Sequence, residues 1–115
     1  MDRQEILHTA RIMIIDDDDD LRHVLMTQFE REGVAALEQA ATMASAFEKI
    51  DGFGPDILIL DVQLPDGNGF HICARLREQG FVKPIIMLTG QGFISWNKIH
   101  PLGRKKSTIR GAILV

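Results

Sequence analysis

The chain reads as an α/β protein built on a doubly wound parallel sheet, and three observations lead there. Three short apolar runs, "RIMII" (11–15), "DILIL" (56–60) and "PIIML" (84–88), are continuous rather than alternating, as strands buried on both faces are. Segments with helical spacing lie between them. Each run also ends abruptly on a polar residue: Asp16, Asp61 or Thr89. Strands that alternate with helices at this spacing imply right-handed βαβ units, with helices covering both faces of the sheet.

The elements follow in order. The opening "MDRQEILHTA" is charged and has no apolar segment followed by a small-residue cleavage site, so it is not read as a signal peptide. After "RIMII" come five aspartates, 16–20, and then Leu21, Val24, Leu25 and Phe29 at helical spacing, with Asp19 or Asp20 as N-cap and Gly33 as the stop. "VAALEQA" (34–40) is a weaker strand, and "TMASAFEKI" (42–50) a short helix begun by Thr42 and closed by the turn "DGFGP". "DILIL" is the clearest buried strand. "QLPDGNG" packs one proline and two glycines into seven residues and reads as a loop. "FHICARLREQ" (70–79) is a helix with Phe70, Ile72, Cys73 and Leu76 on one side, stopped by Gly80. Pro84 opens the next strand, a position where proline is tolerated. Beyond Thr89, glycines 90, 92 and 103 with Pro101 leave no helix of normal length, and "AILV" is a candidate last strand.

Composition bounds what such a domain does. The chain has 115 residues, 45% hydrophobic and 25% charged, which makes one soluble globular domain. Its formal charge of −3 argues against nucleic-acid binding as the main activity. One cysteine, Cys73, allows no internal disulfide and fits a reducing, cytoplasmic setting, and no apolar run is long enough to span a bilayer. The charge is unevenly spread: no acidic residue follows Glu78, whereas Lys98, Arg104, Lys105, Lys106 and Arg110 crowd the end. Residues 1–91 are therefore expected to form the domain core and 92–115 a basic tail. His8, His23, His71 and His100 are scattered without metal-ligand spacing and read as surface residues.

In open parallel sheets ligands bind at the carboxyl ends of the strands, where the strand order reverses. Asp16, Asp17, Asp61 and Thr89 all fall at that edge. Carboxylates from two strand ends brought together repel one another, and a hard divalent cation is the usual way to keep them ionised. Magnesium, which takes one or two carboxylates and keeps several waters, suits an open site of this kind. A carboxylate beside magnesium can act as a nucleophile towards phosphorus, and the Thr89 hydroxyl could hydrogen-bond a phosphoryl oxygen.

Taken together, "IMIIDDDDDLRHVL", "DILILDVQLPDGNGF" and "PIIMLTGQ", in this order and spacing, resemble the receiver domain of bacterial two-component response regulators over residues 11 to about 91. The resemblance implies a flavodoxin-like (βα)5 fold with strand order 2-1-3-4-5. It also implies a magnesium-dependent reaction in which a sensor histidine kinase gives a phosphoryl group to an aspartate, the receiver catalysing only its own phosphorylation and dephosphorylation. By position, Asp61 corresponds to the phosphoacceptor, Asp17 to the direct magnesium ligand and Asp16 to its acidic neighbour. Gln63 corresponds to the residue lending a backbone carbonyl to the metal, and Thr89 to the switch hydroxyl. Asp18, Asp19 and Asp20 match no catalytic position and are the loop and helix cap.

The departures from the pattern lie towards the end. Receivers carry a lysine, normally followed by proline, on the fifth strand. Here Lys83-Pro84 is the one such pair, and it precedes the fourth strand. Lys98, Lys105 and Lys106 follow Thr89 too closely, and Arg110, near the right separation, is not a lysine. The last quarter is thus atypical or frame-altered, with its final βα portion degenerate or missing. Two other functions compete with phosphoacceptance. One is a receiver-like binding module that does not switch; the other is a magnesium phosphatase of the haloacid-dehalogenase type, whose motif needs an acid where Gln63 follows Asp61. No contact with membranes or nucleic acid is expected. A homodimer through an exposed sheet edge or an exchanged tail is expected if the fifth strand fails to form.

Overall fold

A computed structural model describes residues 2–88 and the backbone of 112–114. Its elements are α1 (Arg3–Thr9), β1 (Arg11–Ile15), α2 (Asp19–Arg31), β2 (Ala36–Ala40), α3 (Met43–Phe53), β3 (Ile57–Asp61), β4 (Gln63–Leu64), β5 (Gly67–Asn68), α4 (Gly69–Glu78), β6 (Ile85–Leu88) and β7 (Ala112–Leu114). The main sheet runs β2-β1-β3-β6-β7, which is the expected order with β6 fourth and β7 fifth. The first four strands are parallel, with Ile14 facing Gln39 on one side and Ile59 on the other. β7 departs from the expected all-parallel sheet: it runs antiparallel to β6, pairing Leu88 with Ala112 and Ile86 with Leu114. The free edge of β6 offers N–H and C=O groups that either direction satisfies, and an antiparallel ladder is no weaker per residue. Three residues of β7 thus cover the edge of β6.

Alternate residues of each buried strand feed two cores. Met13, Ile15, Leu58, Leu60, Ile85 and Met87 face α3 and α4, where they meet Ala46, Ile50, Ile72, Cys73 and Leu76. Ile12, Ile14 and Ile59 face the other way, against Leu25, Met26 and Phe29 of α2 and Leu7 of α1. Cys73 is a core residue, as read from its helix face.

Several boundaries differ from expectation for identifiable reasons. α1 went unread, although "DRQE" carries its start: the Asp2 carboxylate accepts from Glu5 N (2.9 Å) and the Glu5 carboxylate accepts from Asp2 N, a capping box. α2 is capped by Asp18, whose Oδ1 accepts from Leu21 N (3.1 Å), rather than by Asp19 or Asp20, which fall in its first turn. α3 runs past Ile50 to Phe53, because Phe53 packs on the core and Gly54 (φ 65°) takes the left-handed turn that ends the helix. The "QLPDGNG" loop contains a minimal hairpin, β4 against β5. Phe70 is 43% exposed instead of buried, since it sits about 100° round the helix from Gly69 while Gly69, Ile72, Cys73 and Leu76 form the inward arc. His8, His23 and His71 are exposed. Most of the 92–115 tail, including Lys98, His100, Lys105, Lys106 and Arg110, lies outside the described residues.

Candidate cation and phosphoacceptor site

β1 and β3 are neighbours in parallel register, Ile15 beside Leu60, so the residues that follow them emerge side by side. Asp16 continues the line of β1, its N–H donating to the Ala40 carbonyl (3.0 Å), while Asp61 is the last residue of β3, opposite Leu88. Both acids are nearly fully buried, Asp16 1% and Asp61 3% exposed, whereas Asp17 is open to solvent. One carboxylate oxygen from each of Asp16, Asp17 and Asp61 lies within 4.8 Å of the others. Oxygen donors at that spacing, two sheltered and one wet, form the hard, anionic, open-sided set that suits magnesium.

Local turns hold these acids in place. Asp16 Oδ1 accepts from Asp18 N (2.8 Å), and Asp61 Oδ1 accepts from Gln63 N (3.2 Å). Each carboxylate thereby folds the chain leaving its own strand, and the second turn brings the Gln63 backbone to Asp61. Val62 N–H donates to the Leu88 carbonyl (2.9 Å), tying the exit of β3 to the end of β6. Thr89 is the next residue and lies outside the described residues. Of the expected site residues, then, Asp16, Asp17 and Asp61 converge, Gln63 borders them, and Asp18 to Asp20 begin α2. Lys83 lies at the opposite end of the strands, its Nζ 3.8 Å from Asp56 Oδ1. Five strand residues, about 16 Å, separate Asp56 from Asp61.

Three residues that hold the surrounding segments were not singled out from the sequence. Gly69 N–H donates to Val62 O (2.6 Å), and a Cβ there would press on the Asp61 carbonyl, 2.8 Å from Met87 Cε and 3.0 Å from Val62 Cα. Only glycine lets the start of α4 pass this close to the end of β3. Asp66, in the hairpin turn, accepts from Met43 N (2.8 Å) and Ala44 N (3.0 Å) at the start of α3. Those two amides hold its carboxyl below the ordinary value of 3.8. Arg22, in the second turn of α2, bonds the Asp16 carbonyl (2.6 Å). The glycines and aspartate of "LPDGNG" were the available signal for the first two; Arg22 had none, because its acceptors come together only in the folded chain.

No helix among the described residues is long and apolar enough to cross a membrane. A family profile described as the response regulator receiver domain matches residues 12–96. The transcriptional regulatory protein TcrA of Mycobacterium tuberculosis is 34% identical over 86 residues, 75% of this chain and 34% of TcrA. The alkaline phosphatase synthesis transcriptional regulatory protein PhoP of Bacillus subtilis is 33% identical over 81 residues, 70% of this chain and 33% of PhoP. The chain thus spans about a third of the length of these relatives. Among solved structures, the non-phosphorylated HemR receiver domain from Leptospira biflexa superposes with a TM-score of 0.68 at 26% identity, covering 82% of this chain and 74% of that one. The receiver domain of the Francisella response regulator 1452 gives 0.69 at 25% identity, covering 85% and 81%.

Proposed function

The chain belongs to the response regulator receiver domain family, and from that premise we propose that it accepts a phosphoryl group from a sensor histidine kinase onto Asp61. The observation that carries this reading is the convergence of Asp16, Asp17 and Asp61 at the carboxyl edge of the sheet.

Asp61 is the nucleophile. One of its carboxylate oxygens forms the O–P bond as the N–P bond to the donor imidazole breaks, and the imidazole leaves with that electron pair. Burial within the sheet edge fixes the carboxylate and limits the approach of water, while the Gln63 amide holds one oxygen in orientation. Asp16, Asp17, Asp61 and the Gln63 carbonyl would hold magnesium, which supplies charge neutralisation for the transferred group. The Thr89 hydroxyl, directly after β6, is the group assigned to meet the phosphoryl oxygen. The protein turns over no other substrate: it catalyses its own phosphorylation and dephosphorylation, in the cytoplasm.

Incubation with acetyl phosphate and magnesium, followed by intact-mass measurement, tests this. One phosphoryl group is expected on the wild-type chain and none on Asp61→Asn. Equal labelling of the variant would move the acceptor elsewhere, release of phosphate from many monoesters would indicate a phosphatase, and an unmodified wild-type chain would leave a binding module.

A further inference from the structure

Arg22 stands four residues after the Asp18 cap, so its side chain runs back along α2 towards the acidic loop. Its guanidinium reaches three separate parts of the fold. Nη1 donates to the main-chain carbonyl of Asp16 (2.6 Å), Nη2 to Asp19 Oδ1 (2.6 Å) and Nε to Gln39 Oε1 on β2 (2.7 Å). The side chain is 14% exposed, while that of Asp19 is 84% exposed, so the arginine is the fixed member of the pair and Asp19 reaches in to it.

We propose that Arg22 is the positioning residue of the cation site: it clamps the backbone at Asp16, and so sets the spacing of Asp16 and Asp17 before a cation arrives. The inference rests on the magnesium reading above. Like charges gathered this closely repel, and the loop that carries Asp16 and Asp17 leaves β1 through only a few residues before α2 begins. The Asp18 amide bond constrains the Asp16 side chain, whereas Arg22 constrains its main chain and ties it to β2 and to the first turn of α2. A planar fork meets three acceptors in different directions; a lysine, a point charge on a flexible stem, does not hold them in one geometry. Because the bond is made to the carbonyl, the clamp does not depend on the ligand carboxylate.

Charge and geometry predict opposite signs. Deleting a positive charge beside a cation site strengthens magnesium binding if Arg22 acts only through its field. Deleting a clamp weakens it, and partners that orient metal ligands are worth about 10- to 100-fold in affinity. The test is a calorimetric titration of the full chain with magnesium alone, well below the unfolding midpoint of each variant. Arg22→Gln is expected to bind magnesium about tenfold more weakly than wild type, and Arg22→Lys, which keeps the charge, several-fold more weakly. A merely structural role would lower the melting temperature of Arg22→Gln and leave its affinity, measured on folded protein, unchanged. Equal or tighter binding in the variants, with wild type binding normally, overturns the clamp and leaves the magnesium reading standing. If Arg22→Gln does not fold, the Arg22→Lys titration decides alone, unchanged affinity overturning the clamp. A wild-type chain that takes up no magnesium overturns the magnesium reading and the clamp with it.

Discussion

The two ends of the same parallel sheet treat charge in opposite ways. At the amino end, Asp56 accepts from Arg11 N (2.9 Å) and faces Lys83 across 3.8 Å, while Arg11 Nε bonds the Phe53 carbonyl and its guanidinium lies 4.4 Å over the Phe53 ring. Opposite charges meet there, half in solvent, and they join loops. At the carboxyl end three like charges are gathered, two of them buried, by strands whose direction the fold fixes. At the amino end each charge of the Asp56–Lys83 pair is half-exposed and meets one of opposite sign, whereas at the carboxyl end carboxylates of like sign share a sheltered edge. That gathering of like charges is what the proposed cation would relieve.

Four perturbations break or sharpen that contrast, in descending order of expected effect. Gly69→Ala drives a methyl group into the Asp61 carbonyl and Val62, and should cost about 1–3 kcal/mol by chemical denaturation, with slowed labelling by acetyl phosphate because the acceptor is displaced. Asp61→Asn, in chelator, should do the reverse and stabilise the fold by about 1–2 kcal/mol. That is what remains, after water screening, of repulsion worth about 3 kcal/mol per pair at an effective dielectric of 20; in thermal melts the gain should shrink when magnesium is added to both proteins. At the other end, Asp56→Ala should destabilise by about 0.5–1 kcal/mol, most of it from the lost Arg11 N–H bond rather than the exposed Lys83 pair. An unchanged denaturation midpoint would show that the amino end is not held by its pairing.

The smallest effect concerns Asp66. Its folded value lies below 3.8, so its carboxylate contributes stability above that pH and the contribution disappears as pH falls through the lower folded value. Wild type should therefore melt slightly above Asp66→Asn at neutral pH, and the gap should close in acid below about 3.8. A gap that persists there would separate the contact from the charge.

Most of this was legible along the chain where the signal is local. Continuous apolar runs gave β1, β3 and β6, and the acids that follow or end β1 and β3 were expected to meet, as Asp16, Asp17 and Asp61 do, because a parallel sheet delivers its strand ends to one edge. Caps were harder: five consecutive aspartates offer several equivalent side chains, and which one caps α2 depends on where the Asp16 turn leaves the backbone. α1 was missed because a seven-residue helix lacks the length for a clear periodicity, although its capping box was in plain sequence. The direction of β7 could not be read from "AILV", since an apolar run pairs with an edge either way.

The sequence by itself determined the buried parallel strands and the three carboxylates at their carboxyl edge, since burial of continuous apolar strands leaves one place for the polar residues that terminate them; the strand order followed from the family resemblance. Only the tertiary structure decided what holds those carboxylates. Arg22 and Gln39 stand seventeen residues apart with no period or motif to join them, and the glycines of "LPDGNG" announce a turn without saying that Gly69 meets Asp61, because hydrogen bonds and steric limits act on distance in space and not on separation along the chain.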